Sequence, residues 1–192
     1  DASMAPDFLF RVLFGTNLGR RLTVLFFVIL GMEGTFRYAR KHDASVIASA
    51  LAGIAFATSG HFVSLLIWGW VFMFNYNVVP WVALAFEKGL RSRTWRYLGS
   101  FFLGWLVLGG GTYVIPYTGI MLFMLLLFET IRAVRKDEGE QSLPWHRPIV
   151  TLAKIGTGAL LFAAVRVLPL VNLLSSHSRP VDQVDKDSPM AV

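Results

Sequence analysis

The distribution of charged residues constrains the fold more than any other feature of this sequence. No Asp, Glu, Lys or Arg occurs in the 43 residues from Ala44 to Phe86, or in the 32 residues from Tyr97 to Phe128. A helix of about 20 apolar residues is long enough to cross a bilayer, because it rises about 1.5 Å per residue. The sequence therefore predicts an all-α, polytopic integral membrane protein.

The overall composition supports this prediction. Of the 192 residues, 16% are charged and 55% are hydrophobic, whereas about 25% of the residues in a typical soluble domain are charged. These values argue against a soluble enzyme, a disordered chain and a nucleic-acid-binding module. The net charge of +6 comes from Lys and Arg beside apolar runs, where such residues orient loops across a membrane. No nucleic-acid partner is therefore expected.

About six transmembrane helices, arranged as three hairpins, account best for the apolar runs. The stretch from Ala44 to Phe86 would measure about 65 Å as one straight helix, so we expect it to cross twice. A second hairpin is expected from Tyr97 to Val134, and the first and last runs are Leu22–Phe36 and Ile149–Leu174. If the first run only lies on the membrane surface, five crossings remain.

Glycine, proline and polar residues predict where these hairpins turn. The 43-residue stretch has two candidate breaks, Thr58–His61 and Asn75–Asn77 followed by Pro80. We favour a turn at the first and a kink in the following helix at the second. In the next hairpin, Gly109–Gly111 and Pro116–Gly119 are predicted to mark the bend.

The chain ends differ from the apolar middle. Residues 1–21 hold aromatic and aliphatic side chains around Arg11, a pattern that favours a short interfacial helix. Residues 22–174 form the predicted transmembrane helical domain. Residues 175–192 are polar with two prolines, which is typical of a flexible tail.

The cations predict the orientation of the helices. Three loops carry 12 of the 18 Lys and Arg residues, while the two bends between them carry none. All three loops are therefore expected on one side, the cytoplasmic side of a bacterial inner membrane or the matrix or stromal side of an organellar one. The residues are Arg37, Arg40, Lys41, Lys88, Arg91, Arg93, Arg96, Arg132, Arg135, Lys136, Arg147 and Lys154.

A Glu–Arg pattern recurs where three of the predicted helices end. Each has a Glu followed by an Arg three or four positions later, which places both on one helical face. The interpretation that we favour is a local pair that neutralises the Glu at a helix end, and the alternative is a set of charges at the mouth of a pathway. The pairs are Glu33 with Arg37, Glu87 with Arg91, and Glu129 with Arg132.

Two single residues are further candidates for a functional site. Glu33 is the acid predicted to lie deepest in the apolar layer, where carboxylates serve as proton relays or ion ligands or form structural pairs. His61 lies at a predicted bend and could titrate near neutral pH, although a solvated loop residue is the favoured interpretation.

No sequence motif predicts catalysis or cofactor binding. The four histidines form no i, i+3 or i, i+4 pair, the chain has no cysteine, and no nucleophile or phosphate-loop motif is present. We therefore expect no enzyme activity, no cofactor and no metal site, and we expect bound membrane lipids.

One short pattern resembles a known family. Ile115-Pro116-x-x-Gly119, an apolar helix and Gly139-Glu140-x-x-Leu143-Pro144 resemble small helical membrane proteins of the chloroplast protein-import channel and their bacterial relatives. The resemblance implies a role in protein translocation. The Phe-x-x-His segment expected upstream is absent, and the fold prediction does not depend on the resemblance.

Two functional hypotheses follow from these observations. The favoured one is a non-catalytic subunit that packs against other membrane protein subunits in a larger complex, because small-residue faces are plentiful and catalytic motifs are missing. The alternative is a small transporter or channel that uses Glu33, as part of a protein-translocation, ion or solute pathway.

Overall fold

The structure is a computed structural model that describes residues 6–59, 71–109, 113–135 and 144–176. These ranges are helical throughout apart from short turns, and they contain no β-strand. The elements are α1 (Pro6–Lys41), α2 (Val46–Ala57), a 3₁₀ helix (Val71–Val78), α3 (Val79–Gly89), α4 (Arg93–Leu108), α5 (Val114–Val134) and α6 (Arg147–Ser176).

Three of these helical segments are long and apolar enough to cross a membrane. They are Phe8–Lys41, Val114–Val134 and Arg147–Val165, and α2 is a shorter apolar helix. The all-helical class and the membrane-compatible helices agree with the prediction. The arrangement with six crossings goes beyond this finding and is taken up below as a proposal.

Helix α1 contains a sharp bend at Gly15. Its φ of 75° and ψ of 171° belong to a region that only glycine adopts readily. The preceding turns fold back, so that the backbone of Phe10 lies against Gly19 and the rings of Phe10 and Phe26 are 5.6 Å apart. The bend therefore separates residues 6–14 from the rest of α1, and the boundary at residue 21 stays a prediction. The position of the N-terminal segment along a membrane surface stays a prediction.

The predicted breaks on either side of the undescribed residues 60–70 have different structures. Helix α2 begins after Ser45, whose Oγ accepts a hydrogen bond from the Ala48 amide at 3.1 Å, and it ends at Ala57, where we expected a turn. The 3₁₀ helix instead runs directly into α3, with Pro80 in the first turn of α3. Proline fits there because the first turn has no internal partner for its missing N–H.

The second predicted bend needs correction. Helix α4 ends at Leu108 and α5 already begins at Val114, so Pro116–Gly119 lies inside α5. Pro116 occupies the first turn, where its missing N–H removes no hydrogen bond of the helix. The bend is confined to residues 109–113, of which 110–112 are outside the described ranges.

Helix α3 occupies the centre of the bundle. Every residue from Val82 to Glu87 is buried, and α3 contacts α1, α4, α5 and α6. A helix that is apolar on all faces is best accommodated when neighbours surround it. Glu87, the one acid in this helix, is therefore carried into the interior.

Contacts along the helices establish their directions. Phe27 stacks on Phe74 at 5.4 Å, and further along both elements Tyr38 contacts Glu87, so α3 runs parallel to α1. Trp81 lies 5.5 Å from Phe102, while Gly89 lies against Arg96, so α4 runs antiparallel to α3. The charged turns after α1 and α3 consequently lie at one end of the bundle, which we call the charged end.

Helices α5 and α6 complete this arrangement. At the start of α5, Val114 packs with Leu106 at the end of α4. Near the end of α5, Glu129 lies close to Glu87, so α5 runs parallel to α3. Helix α6 packs most extensively on α4, because Gly99 and Gly104 allow close approach of Ile155 and Phe162.

Candidate functional site

The most distinctive polar feature of the described residues is the buried carboxylate of Glu87. Its side chain is only 2% exposed. Oε1 accepts a hydrogen bond from the Tyr38 hydroxyl at 2.9 Å, and Oε2 accepts one from Nζ of Lys41. Nε2 of His42 lies 3.1 Å from the same Oε2. We call these four residues the Glu87 cluster.

The three partners of Glu87 come from one short stretch at the end of α1. Tyr38 and Lys41 are three residues apart, so they lie on the same face of the helix, and His42 follows directly as the chain leaves the helix. The rings of Tyr38 and His42 are 4.8 Å apart. One turn of α1 therefore delivers a phenol, an ammonium and an imidazole to a single carboxylate.

The Glu87 cluster offsets the free-energy cost of burying the Glu87 carboxylate. An ionised carboxylate removed from water needs both a counter-charge and hydrogen bonds, and Glu87 has both. Lys41 and His42 keep partial access to the outside, with side chains 28% and 49% exposed. The buried carboxylate is thus connected to the surface through two partly exposed polar side chains.

A second carboxylate lies close to this cluster. Glu129 of α5 is partly buried, and Glu87, Lys41, His42 and Arg132 are all near enough to influence it electrostatically. The sequence pairs Glu129 with Arg132 alone, whereas the structure also places it beside residues from α1 and α3. Three helices therefore contribute acids or bases to one region of the charged end.

Glu33 lies on the outer face of α1. Its Oε1 lies 2.5 Å from Nε of Arg37, four residues later, and the two side chains are 44% and 52% exposed. The Arg37 guanidinium lies 5.3 Å from the ring centroid of Trp81, whose Nε1 donates to the Leu30 carbonyl at 2.8 Å. The predicted local Glu33–Arg37 pair is present, and it faces outward.

Glu33 is also one of the residues that line a largely apolar surface groove between α1 and α2. The groove has a volume of about 260 Å³. Two small residues of α2, Ala50 and Gly53, form part of one wall. The lining residues are Ile29, Met32, Glu33, Phe36, Ala50, Gly53 and Ile54.

The remaining predicted site residues are peripheral or undescribed. Arg91 is exposed in the turn between α3 and α4, where its amide donates to the Lys88 carbonyl. The partners of Glu87 given above come from α1 instead of this predicted Arg91. Arg132 is exposed on α5. His61 lies outside the described residues.

Sequence reasoning missed the partners of Glu87. The signal was present, because Tyr38, Lys41 and His42 follow the i, i+3, i+4 spacing of one helical face. Nothing local showed which acid that face would meet, since Glu87 follows Tyr38 by 49 residues.

Sequence reasoning also treated two asparagines of the 3₁₀ helix only as parts of a kink. Asn75 and Asn77 are 3% and 0% exposed. Asn75 packs on Gly109 and Asn77 packs on Gly31, so two glycines make room for these amides. Nδ2 of Asn77 donates to the Phe74 carbonyl at 3.3 Å, and its Oδ1 accepts no hydrogen bond from a described residue.

Comparisons with known proteins provide no relative for this arrangement. No protein-family model matches the chain, and no curated protein or solved structure is significantly similar to it. Within the residues that the structure describes, no group of three or more His, Cys, Asp or Glu side chains could hold a metal ion.

Proposed function

We propose that this chain is a non-catalytic integral membrane subunit that packs within a larger membrane protein complex. The observation that carries the proposal is the outward-facing Glu33–Arg37 pair. Both side chains are about half exposed, and Glu33 lies at the edge of a groove whose lining is otherwise apolar. The groove lies on α1, which is long and apolar enough to cross a membrane.

The proposal follows from the cost of exposing this pair to lipid. Charged groups inside the membrane are expensive, and they normally face a protein interior or an aqueous cavity. A partner helix seated on the groove would shield Glu33 from acyl chains. The small side chain of Ala50, which is exposed on α2, would allow that helix to approach closely, as small residues do where membrane helices meet.

The proposed topology has about six crossings in three hairpins. The shared direction of α1, α3 and α5, opposite to that of α4, supports it, since it brings the cationic turns after α1 and α3 to one end of the bundle, where Thr151 near the start of α6 lies against Gly89. By the positive-inside rule, this end would face the cytoplasm, the matrix or the stroma. Membrane lipids and other membrane subunits are the proposed partners.

Filling the groove tests the proposal. Ala50 and Ala55 both lie exposed on α2, but only Ala50 lines the groove. If the groove seats a partner, gentle detergent extraction should recover the native chain and the Ala55→Trp variant with the same stoichiometric partners. The Ala50→Trp variant should lose them while staying monodisperse. Recovery of the native chain alone, as a particle of about 21 kDa plus detergent, would contradict the proposal.

A small ion or proton-coupled transporter is the second candidate, and the Glu87 cluster favours it. A buried carboxylate within reach of Lys, His and Tyr side chains is typical of intramembrane proton pathways. The 3₁₀ helix with buried Asn75 and Asn77 adds a second such feature, because transporters use broken helices near their binding sites. On this hypothesis the functional carboxylate is Glu87 and not the outward-facing Glu33.

Flux measurements separate the two candidates. The purified chain would be reconstituted into liposomes containing a pH-sensitive dye, and a proton or cation gradient would be applied. Transport predicts flux that Glu87→Gln abolishes and that Glu33→Gln preserves. Equal flux in the native chain and in Glu87→Gln liposomes would rule out a pathway through this carboxylate.

A further inference from the structure

Two cations at the charged end have aromatic partners instead of acidic ones. Nζ of Lys88 lies 4.5 Å from the ring centroid of Trp95. The Arg93 guanidinium lies 5.5 Å from the ring centroid of Tyr97, and its Nε donates to the Tyr97 hydroxyl at 2.9 Å. No carboxylate of the described residues forms an ion pair with Lys88 or Arg93.

The cations at the end of α1 are already engaged within the chain. Arg37 pairs with Glu33 and Lys41 pairs with Glu87. Arg40 donates to the Ala44 carbonyl at 2.6 Å. Lys88 and Arg93 therefore retain most of their capacity to donate hydrogen bonds to an anion.

The charged end as a whole carries an excess of positive charge. Nine cations lie in its described turns and helix ends, against three acids. The undescribed residues 136–143 add Lys136 and three acids, which leaves the excess in place. The nine are Arg40, Lys41, Lys88, Arg91, Arg93, Arg96, Arg132, Arg135 and Arg147, and the three are Asp43, Glu87 and Glu129.

The aromatic residues indicate the depth of this surface. Trp and Tyr are enriched at the level of lipid headgroups, and Tyr97 is 60% exposed beside Arg93. Trp145, which is also 60% exposed, lies just before α6, whose first turns pack near the start of α4. Contacts with these rings hold the cations at headgroup level, where anionic lipids attract Lys and Arg.

We propose that Lys88 and Arg93, supported by Trp95 and Tyr97, bind the headgroup phosphates of anionic phospholipids in the adjoining leaflet. The proposal requires that the chain is embedded in a membrane. It does not require a protein partner or transport, so failure of either proposed function leaves it intact.

The test uses the full chain in nanodiscs of phosphatidylcholine alone or of equal parts phosphatidylcholine and phosphatidylglycerol. The native chain should have a higher thermal midpoint in the mixed lipid, and phosphatidylglycerol should be enriched several-fold among lipids that remain bound after detergent extraction. The double variant Lys88→Gln/Arg93→Gln should lose most of this enrichment. The matched double variant Arg20→Gln/Arg21→Gln, whose exposed cations lie toward the other end of α1, should keep it.

A charge-preserving variant and a salt titration test whether the enrichment depends on the charges of Lys88 and Arg93. The charge-preserving variant Lys88→Arg/Arg93→Lys should retain the enrichment, and added KCl should weaken it in the native chain, because salt screens exposed charges. The proposal is overturned if Lys88→Gln/Arg93→Gln binds phosphatidylglycerol like the native chain. It is also overturned if Arg20→Gln/Arg21→Gln loses as much phosphatidylglycerol enrichment as Lys88→Gln/Arg93→Gln. The same holds if inorganic phosphate alone raises the thermal midpoint of the native chain as much as the mixed lipid does.

Discussion

The hydroxyl of Tyr38 donates a hydrogen bond to the carboxylate of Glu87 at 2.9 Å, across 49 residues of chain. This bond joins the end of α1 to the end of the central helix α3. It belongs to a cluster in which Lys41 and His42 contact the other carboxylate oxygen. The cluster can be tested one partner at a time.

Removing the cation should be the most damaging single change to this cluster. Lys41→Met leaves Glu87, which is 2% exposed, without its ammonium partner, and stranding a buried charge typically costs about 3–5 kcal/mol. We expect the free energy of unfolding in mixed micelles to fall toward that range. Lys41→Arg should retain most of the stability, and adding Glu87→Met to Lys41→Met should restore much of it. An equal loss in the double variant would contradict the ion-pair interpretation.

Removing the phenol should have a smaller effect. Tyr38→Phe deletes one hydrogen bond to a charged group and little volume, so we expect a loss of about 1.5–3 kcal/mol in the free energy of unfolding. Tyr97→Phe is the matched control, because the Tyr97 hydroxyl is bonded to an exposed arginine. That control should change the stability by less than about 1 kcal/mol. Similar losses in both variants would show that burial of Glu87 does not strengthen its bond with Tyr38.

Close packing of α2 on α1 depends on Gly53. A Cβ atom there would lie 2.8 Å from the backbone oxygen of Met32, so Gly53→Ala should push the two helices apart. We expect a cost of about 1–3 kcal/mol, as in other overpacked interiors. Gly156→Ala should be neutral or stabilising, because no atom lies within 4 Å of a Cβ at that position. Thermal unfolding of both variants in the same detergent provides the comparison.

The bend at Gly15 should tolerate no side chain. Gly15→Ala would force a residue with a Cβ into φ 75° and ψ 171°, at a cost of about 1–3 kcal/mol. We expect the N-terminal segment to leave α1, which double labelling can detect because the native chain has no cysteine. Cysteines at Leu9 and Leu25, both exposed, should show a longer spin-label distance in the Gly15→Ala background. An unchanged distance would contradict the bend.

The sequence was a sufficient guide to several local features. The end of α2 at Ala57, the Glu33–Arg37 pair and the helical character of the apolar runs depend on residues within a few positions of one another. The start of α5 before Pro116 was predicted incorrectly, since proline is equally suited to a loop and to the first turn of a helix. Whether Pro116 lies in a loop or in the first turn of a helix depends on how Val114 packs against Leu106 of α4.

The sequence alone determined that this chain forms apolar helices suited to a membrane, because hydrophobicity and the absence of charge are sums over neighbouring residues. It also identified Glu33, Glu87 and Glu129 as the acids near helix ends. Only the tertiary structure decided which of them is buried. Burial depends on which helix becomes the central one, and α3 takes that place because it is apolar on every face up to Phe86, while α1 supplies partners to the Glu87 that follows.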